Sequence, residues 1–388
     1  MISVLVVDDS VVVRRLIVDA LSDAPGIHVV GTAANGLLAQ ARIDQLKPDA
    51  VTMDIEMPQM NGIEAVRELR KRHPRLPVIM FSTLSASGAS ATLEALAAGA
   101  TDYVTKPSNV GSIAESVAAV REQLVPKIHA LAGRGAAAPA RPVSNRPPVT
   151  PAPARLTAPP ARLTAPPTRL TAPPARPVTA GPVGRRRPGG RVDIIAVGCS
   201  TGGPDALTSV LMGLPSDLPV PVVVTQHMPP VFTRMFAERL DRSTPLTVVE
   251  AGDGMELAAG TVYIAPGDKH LVLQRRGAVP VTQLSGAPPE NSCRPAVDVM
   301  FRSVAQLYGG STFAVVLTGM GHDGRGGAKV LRDAGAEILA QDEASSVVWG
   351  MPGAVVQAGL ADEVLPLDRI AACLIARVKA GRSAAVAR

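Results

Sequence analysis

A chain of 388 residues with a hydrophobic share of 46% has the length for two or three domains, each with its own core. Its three cysteines (Cys199, Cys293 and Cys373) are too few and too scattered for a disulfide framework or a zinc site, so a reducing, cytoplasmic setting is expected. The formal charge of +6 misleads: 11 arginines and no acidic residue fall between Gly133 and Arg191, and 39 less those 11 leaves 28 basic against 33 acidic residues elsewhere, a net of −5.

The first apolar run, "ISVLVV" (2–7), reads as a buried strand. Asp8 and Asp9 follow it at once and no basic segment precedes it, which argues against a signal peptide. Val13, Leu16, Ile17, Ala20 and Leu21 then keep the i, i+3, i+4, i+7, i+8 stripe of a helix. "AVTMD" (50–54), "PVIMFS" (77–82) and "DYVTK" (102–106) predict further strands, with helices near 36–46, 62–72 and 88–98 and a longer one from Ser112 to Ala132. Such β/α alternation predicts a parallel, doubly wound sheet over 1–131.

Between 132 and 190 the composition changes. Gly133 to Pro188 holds 15 of the 36 prolines, and "ARLTAPP", "ARLTAPP" and "TRLTAPP" place Arg155, Arg162, Arg169 and Arg176 seven residues apart. Paired prolines in each unit forbid a helix interior, so the period predicts an extended, disordered linker and not a coiled coil. A basic tether for nucleic acid is the rival reading. Only nine aromatics are available for base stacking, and the remainder of the chain is net acidic, so nucleic acid is not the expected partner.

From residue 191 to 388 the alternation resumes. Strands are predicted at 193–198, 221–226, 261–266, 270–274, 312–318 and 337–341, and helices at 204–213, 231–241, 296–308 and 325–334. Both folded parts are therefore α/β, the second mostly parallel and doubly wound. Ser345 to Ala361 is the nearest approach to a membrane span, and it is short and rich in Gly, Ser and Gln, so no direct membrane insertion is expected.

In the first domain, Asp8 and Asp9 end the first strand, Asp54 the third and Ser82 the fourth, while Lys106 follows the fifth. A doubly wound sheet gathers its strand ends on one edge, where clustered carboxylates make a hard-oxygen site suited to Mg²⁺. The constellation resembles the receiver domain of two-component response regulators, a flavodoxin-like (βα)5 fold, from Ile2 to about Leu131. The resemblance implies Asp54, in "TMDIEMPQMNG", as phosphoacceptor, and Mg²⁺ held by Asp8, Asp9, Asp54 and the backbone carbonyl of Glu56. It also implies Ser82 as the switch hydroxyl (Thr83 being arguable), Tyr103 as the switch aromatic, and Lys106 against the phosphoryl oxygens. The Lys106–Pro107 bond is a candidate cis peptide.

In the second domain, "VGCSTGGPDAL" puts Ser200 between a strand and a helix, in a literal G-x-S-x-G. His227 ends the next strand in "VTQHMPP", and Asp323 follows a later one in "GMGHDGRGG". Three strand ends of one sheet thus offer a hydroxyl, a base and an orienting acid. The order Ser, His, Asp is not that of α/β-hydrolases, and a strand's alternation turns the rival nucleophile Cys199 away from the face Ser200 uses. A phosphate-binding loop is the other rival, though it lacks the P-loop lysine and the spaced glycines of a dinucleotide fold.

"VGCSTGGPDAL", "QHMPPVFTRMFAERL", "YIAPGDKHLVL", "RPAVDVMFRSVA", "LTGMGHDGRGGAKVL" and "GMPGAVVQAGLADEVLPL" together resemble the catalytic domain of the chemotaxis protein-glutamate methylesterases, the CheB family. The resemblance implies a cytoplasmic, phosphorylation-activated carboxylic ester hydrolase acting on methyl-accepting chemoreceptors, with glutamine deamidation as a related reaction and a sensor histidine kinase as phosphodonor. Ser200, His227 and Asp323 would be its triad and the backbone N–H of Met320 its oxyanion donor, with no cofactor for the ester step. A receiver fused to a binding module, a DNA-binding regulator and a generic lipase or esterase are the other classes.

Overall fold

The computed structural model describes residues 1–107, 112–133 and 190–386, the last six through their backbone alone. The linker expected at 132–190 lies almost wholly outside the described residues.

The first part runs β1 (Ile2–Val7), α1 (Val11–Ser22), β2 (Ile27–Ala33), α2 (Gly36–Leu46), β3 (Ala50–Asp54), α3 (Gly62–Arg72), β4 (Val78–Ser82), α4 (Ala86–Ala97), β5 (Asp102–Thr105) and α5 (Ile113–Ala132). All five strands are parallel, in the order β2-β1-β3-β4-β5. The order reverses at β1, so the crevice beyond β1 and β3 is the ligand position of this topology. Helix starts are set by side chains that accept from orphan N–H groups: Ser10, Asn35, Ser85 and Ser112, and Asn61 in a capping box with Glu64. At Gly62 a Cβ would lie 2.0 Å from the Asp54 carbonyl oxygen, so only glycine lets α3 start this close to the end of β3.

The second part runs β6 (Ile194–Cys199), α6 (Gly203–Met212), β7 (Val222–Gln226), α7 (Phe232–Ser243), β8 (Thr247–Glu250), β9 (Thr261–Ile264), β10 (His270–Arg276), β11 (Val279–Ser285), α8 (Val297–Tyr308), β12 (Thr312–Val316), α9 (Arg325–Asp333), β13 (Glu337–Gln341), α10 (Met351–Gln357), β14 (Glu363–Leu365) and α11 (Leu367–Val386). Seven parallel strands lie in the order β14-β13-β12-β6-β7-β9-β8. The strand predicted at 270–274 belongs instead to a separate antiparallel hairpin, β10-β11, which packs on α8. The central strands β6, β7 and β12 are buried on both faces and read as near-continuous apolar runs, as parallel strands under two helical layers do. Their carboxyl ends, at Cys199, Gln226 and Val316, lie side by side on one edge.

The two sheets meet through α4 and α7, and one buried cluster runs from Leu93, Leu96 and Tyr103 into Phe232 and Phe236. Tyr103 stacks on Phe232 with ring centroids 4.9 Å apart and planes 7° from parallel. Arg239 of α7 donates to the Leu93 carbonyl at 2.6 Å, and Thr201 Oγ1 donates to Asp102 Oδ2 at 2.8 Å. Phe81, Phe232, Phe236 and Phe301 are fully buried, each side chain contributing about 1.5–3 kcal/mol by leaving water. Among the described residues the cis peptide is Arg294–Pro295, so the cis bond expected at Lys106–Pro107 is not found.

Candidate active site and phosphoacceptor site

Ser200 follows β6 and is fixed through its backbone: its N–H donates to the Thr318 carbonyl at 3.0 Å and its own carbonyl accepts from Gly203 N at 2.7 Å. The same carbonyl accepts from Gln226 Nε2 at 3.0 Å, which ties the ends of β6 and β7 together. Gly319 is needed beside it, because a Cβ there would stand 2.9 Å from Ser200 Cβ and 2.3 Å from Met351 Sδ. Cys199 points the other way, into the core toward the Thr225 carbonyl, and burial pushes its thiol far up. It does not line the cavity that Ser200 opens onto.

His227 extends β7, its N–H donating to the Cys199 carbonyl at 3.2 Å. Its Nε2 lies 2.8 Å from Asp323 Oδ2, and its Nδ1 lies 3.6 Å from Cys293 Sγ. Asp323 is 2% exposed and its carboxylate is surrounded by donors. Oδ2 accepts from Val297 N at 2.6 Å; Oδ1 accepts from Asp298 N, Gly324 N and Asn291 Nδ2, each at 3.0 Å. Val297 and Asp298 open α8, so the carboxylate also caps the positive end of a helix. Burial alone would raise the Asp323 pKa, but the His227 imidazole and these N–H groups outweigh it and hold the carboxyl below its usual value. For His227, burial disfavours the imidazolium, yet its bonds to Asp323 and Cys293 win and lift it to about 9.

Ser200, His227 and Cys293 line one cavity of about 380 Å³, and Asp102, Tyr103 and Lys127 of the first part line it too. The three residues expected to act together are therefore gathered, with a difference in detail. His227 and Asp323 are hydrogen-bonded, whereas among the described residues the Ser200 hydroxyl makes no hydrogen bond to the imidazole. The Met320 N–H, one residue past Gly319, has no acceptor among the described residues. Asn291 and Cys293 escaped the sequence reading. They sit on an irregular loop where Asn291 and Ser292 both take positive φ (52° and 61°), and the one signal for them is their place just before "RPAVD".

At the other edge, Lys106 Nζ lies 2.8 Å from Asp54 Oδ1 and 3.5 Å from Asp8 Oδ2. Asp8 Oδ1 accepts from Ser10 N at 2.9 Å, while the buried Oδ2 has no hydrogen-bond partner. Burial and the neighbouring Asp54 charge raise Asp8 to about 6, and burial raises Asp54 as well. Carboxylate oxygens of Asp8, Asp9 and Asp54 lie within 4.8 Å of one another, and Glu56 lines the same cleft. Three converging carboxylates, one with a buried oxygen that takes no hydrogen bond, fit a hard divalent cation. Ser82 lines the same cleft, and its hydroxyl donates toward the Gly88 and Thr83 carbonyls and accepts from Thr92 Oγ1 at 2.5 Å, turned onto α4. Tyr103 is buried against Phe232 and not held at the Asp54 cleft, with Lys127 Nζ 5.7 Å from its ring centroid.

A receiver-type sheet joined to a doubly wound hydrolase sheet is the architecture of a response regulator with an enzymatic output. Residues 195–374 match the CheB methylesterase family and residues 4–118 the response regulator receiver domain. A Nocardioides sp. protein named protein-glutamate methylesterase/protein-glutamine glutaminase is 51% identical over 385 residues, covering 99% of this chain and 98% of the relative. A Trichodesmium erythraeum protein of the same name is 43% identical over 97% of this chain and 98% of its own length. Among solved structures, the Thermotoga maritima CheB methylesterase catalytic domain is 45% identical over 48% of this chain and 98% of that one, with a TM-score of 0.47. The chain belongs to the CheB methylesterase family, and it is a carboxylic ester hydrolase with a response-regulator receiver. No helix among the described residues is long and apolar enough to cross a membrane.

Proposed function

We propose that residues 191–388 hydrolyse glutamate methyl esters on the cytoplasmic helices of methyl-accepting chemoreceptors, and side-chain amides of particular glutamines there. In this reading residues 1–131 gate the reaction, and 132–190 join the two. The observation that supports it most is the hydrogen bond between His227 and the buried Asp323, with His227 and Ser200 opening onto a cavity that the receiver's own residues also line.

Ser200 Oγ attacks the ester carbonyl as His227 Nδ1 takes its proton; Nε2–H stays on Asp323, which fixes the tautomer and balances the imidazolium. The carbonyl's negative charge falls toward the Met320 N–H, a donor of a kind worth about 2.7–4 kcal/mol in other hydrolases. The imidazolium then returns the proton to the leaving methoxide and methanol departs. Water, deprotonated by the same nitrogen, cleaves the acyl-serine and restores the glutamate. An amide follows the same course with ammonia leaving.

Control comes from Asp54, phosphorylated by a sensor histidine kinase. Mg²⁺ held by Asp8, Asp9, Asp54 and the Glu56 carbonyl would neutralise charge on the incoming phosphoryl group. Lys106 pairs with its oxygens, and Ser82 turns from α4 to bond it. Tyr103 then leaves Phe232, and the cavity opens to a receptor helix. The test is methanol release from radiolabelled methylated receptor by the full chain, with and without a small-molecule phosphodonor. Stimulation by the donor supports the reading; equal rates would exclude gating by Asp54.

A further inference from the structure

The side of His227 facing away from Asp323 carries a feature the hydrolytic reading does not use. Cys293 Sγ stands 3.6 Å from His227 Nδ1, half-exposed on the cavity wall. Tetrahedral zinc takes a thiolate at about 2.3 Å and an imidazole nitrogen at about 2.0–2.1 Å, which sets the two ligand atoms about 3.5 Å apart. The observed separation is close to that spacing. The second ring nitrogen is already anchored: Nε2 lies 2.8 Å from Asp323 Oδ2, which leaves Nδ1 as the nitrogen a metal takes once its proton is lost, and a carboxylate behind a metal-bound imidazole is the usual orienting arrangement. His227, Cys293 and Asp323 offer ligand atoms within 4.8 Å of one another.

We propose that Cys293 Sγ and His227 Nδ1 form an inhibitory site for a borderline or soft divalent cation of the Zn²⁺ class. The ion displaces the thiol proton and the Nδ1 proton of the imidazolium, takes the two protein ligands and completes its shell with solvent from the cavity. A thiolate–imidazole pair selects Zn²⁺ or Cd²⁺ over Mg²⁺, which prefers oxygen, so this site and the carboxylate cleft at Asp54 load different metals. Occupation blocks the nitrogen that receives the Ser200 proton. Binding stands on the geometry alone; inhibition rests on the role given to His227 above.

The test uses the full chain carrying Cys373→Ser, which removes the other accessible thiol (Cys373 Sγ lies 3.3 Å from Glu363 Oε2). Cd²⁺ is added and the ultraviolet thiolate-to-metal charge-transfer band followed, a signal that carboxylate sites cannot give. Methanol release is measured in parallel with Zn²⁺. A saturable one-equivalent band is expected, lost on Cys293→Ser and weakened on His227→Ala. Losing even an outer partner of a metal ligand costs 10–100-fold in affinity, so Cys293→Ser should raise the half-inhibitory Zn²⁺ concentration at least about tenfold. No band, or a band unchanged by Cys293→Ser, overturns the site. A band without inhibition upholds the site and overturns the assignment of His227 as base.

Discussion

Asp102→Ala tests the gate without touching the hydrolytic residues. Asp102 Oδ2 accepts from Thr201 Oγ1 at 2.8 Å across the contact between the two sheets, and the pair is buried. Its other bonds, from Lys127 Nζ at 2.5 Å and from Tyr103 N at 2.8 Å, stay within the receiver and change little when the sheets part. One hydrogen bond to a charged acceptor is worth about 1.5–3 kcal/mol. Because 1.4 kcal/mol is a factor of ten, its loss should shift the closed-to-open equilibrium by about 10–150-fold, up to the ceiling set by the fully open enzyme. The assay is methanol release by the unphosphorylated full chain. Basal activity should rise by that factor, while the phosphodonor-stimulated rate stays near that of the unmodified chain. An unchanged basal rate, with the stimulated rate intact, would refute the idea that this contact holds the site shut.

Asp323→Asn should cut kcat by roughly 10³–10⁴-fold, since the amide no longer enforces the required tautomer. The base must be unprotonated, so kcat/KM of the unmodified enzyme should climb with pH through about 9, and removing the carboxylate should move that inflection to lower pH; an unmoved inflection would mean another group titrates. Asp54→Asn should abolish stimulation by a phosphodonor while leaving the basal rate, checked by the same methanol assay; persistent stimulation would point to a different acceptor. Gly319→Ala should lower turnover and stability together, by about 1–3 kcal/mol in a denaturant titration, because its Cβ meets Met351 Sδ and Ser200 Cβ inside contact distance; a neutral result would show that the loop relaxes freely.

The features legible in the sequence are those tied to strand ends. Apolar runs locate β1, β3, β4, β6, β7 and β12, and the residue after each run lands on the functional edge of its sheet, which is how Asp8, Asp54, Ser200 and His227 could be named. β2 escaped because it is an edge strand with a mixed burial pattern, and β14 because three residues are too few to show a period. The 270–274 run reads as a strand, but nothing in its alternation says that it pairs with β11 and leaves the main sheet. The Tyr103–Phe232 stack and the Cys293–His227 contact join residues far apart in the chain, and local patterning carries no information about such pairs. The same limit explains Ser82: its position in the strand is readable, whereas the bond from Thr92 that turns it onto α4 depends on packing.

The central claim is that Ser200, served by His227, breaks the ester bond. The most direct test compares methanol release from methylated receptor by the unmodified chain, by Ser200→Ala, by His227→Ala and by the double variant, all with phosphodonor present. Each single change should cost several orders of magnitude, roughly 10⁶-fold where a serine and its base act as one unit, and the double variant should lose little more. Near-normal turnover by Ser200→Ala, or losses that simply multiply in the double variant, would contradict it.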